Sequence, residues 1–183
     1  MHMSRPGSST HDLTTTSGMM AAVIALLSIA IGGLIHLATV CTSFVFINSA
    51  THGRSMWCPE GASLDYVHLG TVLASRSSVL ALLAWALGAT WVLEQPSTSC
   101  MLFIPSWQAV IRWFQEKSSN GWPNALVLRN AICMAAFRGA TLKPTALWST
   151  ESLDLLMNMP IPPKIDRPPA QDPVSYVCLS KLI

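Results

Sequence analysis

Twenty-two consecutive residues, Met19 to Val40, carry no formal charge, yet Gly32-Gly33 cuts them in two. This feature constrains the chain more than any other. An unbroken apolar run of about 20 residues is long enough to cross a bilayer as a helix. A paired-glycine break instead gives an apolar helix of about 13 residues over 19–31, then a short candidate strand at 34–39. Both lengths are ordinary for a buried α/β core. The same choice recurs at Ser77–Leu93, 17 residues without charge. Arg76 abuts that run, Gly88 interrupts it, and β-favouring Thr90, Trp91 and Val92 follow. The predicted elements are therefore a helix from Val72 to Leu87, closed by Gly88, and a strand from Thr90 to Leu93 that delivers Glu94. A two-pass integral membrane protein is the alternative reading.

Composition sharpens the choice without settling it. Of the 183 residues, 51% are hydrophobic and only 11% charged, against about 25% in a typical soluble domain. A net charge of +2 with no basic run gives nucleic acid little to bind. Cys41, Cys58, Cys100, Cys133 and Cys178 are odd in number and show no Cys-x-x-Cys spacing, and the five histidines form no ligand-like cluster. A disulfide framework and a zinc site are not expected. Unpaired thiols suit the reducing interior of a cell, with a membrane as the alternative location.

Residues 1–17, rich in Ser and Thr, read as a disordered N-terminal segment, with Thr16 or Ser17 capping a helix that starts at Gly18. Residues 40–68 read as a long loop. Trp107, Val110, Ile111 and Phe114 follow helical spacing and predict an amphipathic helix opening at Ser106. Ala131–Phe137 and Leu142–Trp148 flank Arg138-Gly139-Ala140 and predict a hairpin. A short helix is expected over Glu151–Met157. Six prolines in 159–173 mark residues 158–183 as a Pro-rich tail. The resulting fold class is α/β: an incomplete Rossmann-like sheet with flanking helices and a C-terminal hairpin, occupying residues 18–157.

Two residues in this plan carry chemistry. Cys41 follows one candidate strand, and Glu94 follows another joined to it by the 72–87 helix. Ligand sites of open α/β sheets lie at the carboxyl ends of strands. A thiol and a carboxylate there suit covalent attack on an activated ring, with the acid gripping or protonating a ring nitrogen. Plainer roles stand beside these. Cys41 also reads as a small buried hydrophobe. Glu94 also reads as a cap for Ser97–Ser99 or a partner for Arg112 or Lys143. Arg54 and Arg76 read as surface or helix-start charges. Trp91, Trp107, Trp113 and Trp148 read as core, and Trp57 as the exposed aromatic.

Gly33-Leu34-Ile35-His36, Cys41-Thr42-Ser43-Phe44, His52-Gly53-Arg54-Ser55, Pro59-Glu60-Gly61, Leu69-Gly70-Thr71, Trp91 to Ser99 and Lys143-Pro144-Thr145 together resemble an uncharacterised algal, dinoflagellate-type protein family. Its members carry a Pro-Cys-Ser-Ser-like loop, a Gly-Asn step, a Glu-Gln-Pro or Glu-Asn-Pro strand end and a later Lys-Pro-Thr segment. The resemblance covers about residues 12–157. That family is distantly similar to C5-cytosine DNA methyltransferases, where a Pro-Cys loop supplies the nucleophile and a Glu-Asn-Val strand end binds the base edge. The resemblance implies Cys41 as nucleophile, Glu94 as base-binding acid and Lys143 near the catalytic face. This chain departs from the pattern in having Val40 before the cysteine, Thr71 for asparagine, and Gln95-Pro96 for Asn-Val. The 40 residues before Cys41 contain no Gly-x-Gly after a strand, so no S-adenosylmethionine site is expected and no other cofactor is implied. The resulting expectation is a degenerate, inactive central fragment of such a domain. Its apolar helix 19–31, short of a covering layer, is expected to be free for self-association or a partner chain.

Overall fold

A computed structural model describes residues 12–122, 125–134 and 144–153. The chain is α/β. Its elements, in order, are helix α1 (Thr16–Leu27), strand β1 (Leu34–Leu37), the one-turn helix α2 (Ser49–His52), helix α3 (Asp65–Ala86), strand β2 (Thr90–Pro96), helix α4 (Pro105–Ser119), strand β3 (Leu128–Cys133) and strand β4 (Pro144–Ser149). The four strands form one sheet in the order β1-β2-β4-β3. β1 and β2 are parallel, and β4 is antiparallel to both β2 and β3. It follows that β3 runs parallel to β1 and β2. Both β1–α3–β2 and β2–α4–β3 are therefore crossover units of the kind that build a Rossmann-like sheet.

The apolar run of residues 19–40 is divided where the glycines stand. The Thr15 hydroxyl accepts from Gly18 N and caps α1, one residue before the expected caps. Asp12 accepts from the backbone and hydroxyl of Thr14, and Thr15 bonds to the Asp12 carbonyl. Residues 12–17, expected to be disordered, thus form a turn and the helix start. α1 ends at Leu27 rather than Ile31. Gly32, at φ +79°, then turns the chain into β1, and Thr90 N donates to Gly33 O to start the pairing with β2.

α3 starts at Asp65, seven residues before the expected Val72. Its buried face explains the discrepancy. Val67, Gly70, Ala74, Ser77, Ala81 and Ala84 recur every three or four residues, and all are buried. Small and polar side chains hide that period from a hydropathy reading while letting the helix lie close to its neighbours. Gly88, at φ +75°, terminates α3 as expected. Among the described residues α3 is the one helix long and apolar enough to cross a membrane, by length and composition alone; half of that window is buried inside the fold.

Alternation along β2 sends Trp91, Leu93 and Gln95 to one face and Val92 and Glu94 to the other. On the first face Trp91 meets Trp107 (ring centroids 5.7 Å apart) and Phe114 (5.8 Å) of α4. Ile35, Leu37, Leu80, Ala81, Ala84 and Leu26 join them in one core. The helices α1, α3 and α4 therefore share a single hydrophobic cluster. Trp113 and Trp148 pack at its margin, while Trp57 is 89% exposed.

Other boundaries shift by a few residues. β2 runs to Pro96, so Glu94 lies inside the strand and not after it. β1 stops at Leu37, two residues short of Thr39. β3 and β4 replace the expected 131–137 and 142–148 pair, and their connecting turn lies outside the described residues. So do Lys143, the Pro-rich tail and most of the 151–157 segment, whose described residues Glu151, Ser152 and Leu153 are not helical. α4 begins with Pro at its first position, one residue before Ser106.

Candidate functional site

Gln95, not Glu94, joins the strand ends. Its amide nitrogen donates to the Thr39 carbonyl at 2.9 Å and contacts the Thr39 hydroxyl at 3.1 Å. Its amide oxygen accepts from the Ser99 hydroxyl at 2.9 Å. Val45 bridges to Ser99, and Cys100 N donates to Phe44 O. The loop after β1, which carries Cys41, is thereby fastened to the loop after β2. Inside it, the Cys41 carbonyl accepts from Phe44 N and Val45 N, and Asn48 Nδ2 donates to Thr42 O. The Cys41 side chain is half-buried.

Glu94 lies on the other face of the sheet. Its Oε2 stands 3.4 Å from His36 Nε2, with the glutamate side chain 21% exposed and the histidine 40%. This is the partner that sequence reasoning missed, having weighed Arg112 and Lys143. Arg112 Nε donates to Gln108 O. The cross-strand row from Glu94 runs through apolar Leu147 to Asn130 of β3, whose amide nitrogen is buried without a hydrogen-bond partner. Once β1 and β2 are paired in parallel, period-two alternation puts His36 and Glu94 on one face. The missing information was the register, in which Leu37 sits beside Leu93. The structure brings the Cys41 loop and the end of the Glu94 strand together, but the Glu94 carboxylate lies against His36 on the face opposite Gln95. An open depression of about 320 Å³ lies elsewhere, along α4 at Arg112, Gln115, Glu116, Ser119 and Asn120.

The residues around His52-Gly53-Arg54 form a second cluster, in the segment expected to be a plain loop. Arg54 is only 3% exposed. Its guanidinium donates to Pro59 O at 2.5 Å, to Thr71 Oγ1 at 3.0 Å and to Val67 O, and lies 4.2 Å from the Phe44 ring centre. Burial lowers its pKa, while Cys100 and Glu60 oppose the shift. The wholly buried His52 takes Arg54 N on Nδ1 at 2.9 Å, so Nε2 carries the proton that it donates to Val45 O at 2.9 Å. A Cβ on Gly61 would lie 2.4 Å from His52 O, and one on Gly70 would lie 2.3 Å from Ser43 Oγ. The His-Gly-Arg, Pro-Glu-Gly and Leu-Gly-Thr segments thus converge on one buried arginine. Their role here is to hold the 41–64 segment against α3.

Burial raises the pKa of the Cys100 thiol, and Arg54 opposes that shift. Its Sγ lies 3.2 Å from Phe44 O. Among the described residues no group of three or more His, Cys, Asp or Glu side chains is placed to hold a metal ion. No protein-family model, curated protein or solved structure matches this chain.

Proposed function

We propose that the chain is a catalytically silent, degenerate relative of C5-cytosine methyltransferase domains, which keeps the Cys41/Glu94 framework without performing methyl transfer. One observation carries the reading: Gln95 ties the loop holding Cys41 to the strand holding Glu94, through Thr39, at the end of a parallel β1–α3–β2 unit. Ligand sites of open α/β sheets lie at such strand ends, and the loop holding Cys41 meets the strand holding Glu94 there. Three features weigh against catalysis. The Glu94 carboxylate pairs with His36. Val40 replaces the proline expected before the nucleophile, and Gln95 is spent on holding backbone.

Purified full chain, incubated with labelled S-adenosylmethionine and cytosine-containing DNA, should transfer no label and give no binding heat with the cofactor. Transfer that vanishes in Cys41→Ser would overturn the reading and make the Cys/Glu pair a working site. The two-pass membrane alternative has one helix of spanning length among the described residues, α3, while its other expected span is divided into the 12-residue α1 and β1. Retention of the protein in cell membranes through an alkaline carbonate wash would favour it.

A further inference from the structure

The sheet is buried on two faces, and the helices account for one of them. α1, α3 and α4 share a single hydrophobic cluster with Trp91 and Leu93. Alternation turns Val92 and Leu147 the other way, and both lie outside that cluster. Each is nevertheless only 7% exposed, and Thr145 and Ser149 on the same face are wholly buried. β3 shows the same bias. Its far-face residues Leu128, Asn130 and Ile132 are partly buried, while Arg129 and Ala131 on the helix side are exposed. The cover fades towards β1, where Leu34 is 62% exposed and the His36 side chain 40%. Parallel strands are ordinarily buried on both faces, so a second layer over β2, β4 and β3 fits the topology.

The other segments indicate what supplies that layer. Phe44, Met101, Ile104 and Ala125, from the connections after β1, β2 and α4, all belong to the helix-side cluster, and Leu13 packs against it. Residues 135–143 join the Cys133 and Pro144 ends of the hairpin. Buried Ser149 lies at the opposite end of β4, about 17 Å away along the strand. A connection obliged to return to Pro144 reaches that far only when fully extended. Residues 154–183 instead leave β4 from the Ser149 end itself, where Glu151 N donates to Ser149 Oγ. At roughly 3.3 Å per residue they outreach the face severalfold. They bring Leu155, Leu156, Met157, Ile161, Val174 and Val177 to lay on it.

We propose that residues 154–183 fold back over the β2-β4-β3 face as an intramolecular cover that stops short of β1. The His36–Glu94 pair then lies at the margin of the cover. The inference does not rest on the methyltransferase-like reading.

A diazirine analogue of leucine placed at position 147 tests it, in an equal mixture of unlabelled and nitrogen-15 full chains at ~1 µM, where weak self-association is negligible. The analogue adds only a small ring to leucine, so circular dichroism and melting should match wild type. After irradiation, mass spectrometry should find position 147 joined to residues within 157–183 of the same chain, severalfold more often than to any other segment. Products confined to other segments overturn the proposal. So do products that mainly join a labelled to an unlabelled chain, which would assign the face to a second copy. The same analogue at Leu128, partly buried near the sheet edge, gives the same reading if position 147 is too tight to accept the ring.

Discussion

Arg54 and Glu94 are both ionic groups near the carboxyl end of the sheet, and the fold treats them in opposite ways. Arg54 is sealed. Its guanidinium spends its charge on carbonyl oxygens, a hydroxyl and an aromatic face, and among the described residues no carboxylate lies within ion-pair distance. Glu94 keeps access to solvent and faces a half-exposed imidazole. A buried cation needs its donors largely satisfied; both terminal nitrogens of Arg54 are bonded and its buried Nε is left without a partner, so the first cluster is a structural rivet. A partly solvated pair exchanges partners at little cost, so the second can take part in binding. The contrast separates residues whose loss should unfold the domain from residues whose loss should leave it standing.

The most severe test removes the rivet. Arg54→Ala would remove the donor to the Pro59 carbonyl, leave Val67 O with the Thr71 hydroxyl but without the guanidinium, and open a cavity beside Phe44, so we expect a loss of about 3–5 kcal/mol in urea unfolding. Arg54→Met fills the volume without the charge. It should cost clearly less than alanine if the desolvation of the guanidinium is a large opposing contribution. Equal losses would show that the hydrogen bonds dominate. Gly70→Ala attacks the same cluster from α3. Its Cβ would come within 2.3 Å of Ser43 Oγ and 3.4 Å of Arg54. Overpacking of this kind costs roughly 1–3 kcal/mol, and a melting temperature equal to wild type would show that Ser43 simply rotates away. Gln95→Leu keeps the bulk but abandons Thr39 and Ser99. A loss of about 1–2 kcal/mol is expected, with faster amide exchange in residues 39–45 but not in the Arg54 cluster.

Cys100 gives the comparison a pH dependence. Burial raises its folded pKa above that of the unfolded thiol. The folded state then holds the proton over a pH range in which the unfolded state has released it, so unfolding becomes easier as pH rises there. This contribution is fully present below the ordinary thiol pKa and fades as pH climbs through the raised one. Cys100→Ala should flatten the alkaline limb of a stability–pH curve. An unchanged limb would place the titration elsewhere.

Sequence showed some of this plainly and concealed the rest for physical reasons. The glycine breaks at Gly32 and Gly88, and the β-favouring Trp91–Leu93, made the β1–α3–β2 unit legible because large apolar side chains and positive-φ glycines are local signals. Helix α4 was equally plain from the spacing of Trp107, Val110, Ile111 and Phe114. The first two turns of α3, residues 65–71, were hidden because they bury only Val67 and Gly70, and a glycine buries a helix face without hydropathy. Arg54 was read as a surface charge because nothing local to His-Gly-Arg reveals that Pro59, Val67 and Thr71 will converge on it. The pairing of His36 with Glu94 depended on strand register, which a single sequence does not encode locally.

The smallest expected effect is at the pair itself. Removing the charge with Glu94→Gln, or the ring nitrogen with His36→Phe, should change stability by no more than about 1 kcal/mol each, and the coupling between them in a double-mutant cycle should fall within ~0–1 kcal/mol. The pair stands 3.4 Å apart with both side chains partly in solvent, so screening and side-chain entropy offset most of the attraction. Raising the salt concentration should reduce the coupling further. A coupling of several kcal/mol, insensitive to salt, would place Glu94 in the same sealed category as Arg54. The carboxylate would then be a second rivet, and the acid assigned to the relic site would no longer be available to any ligand.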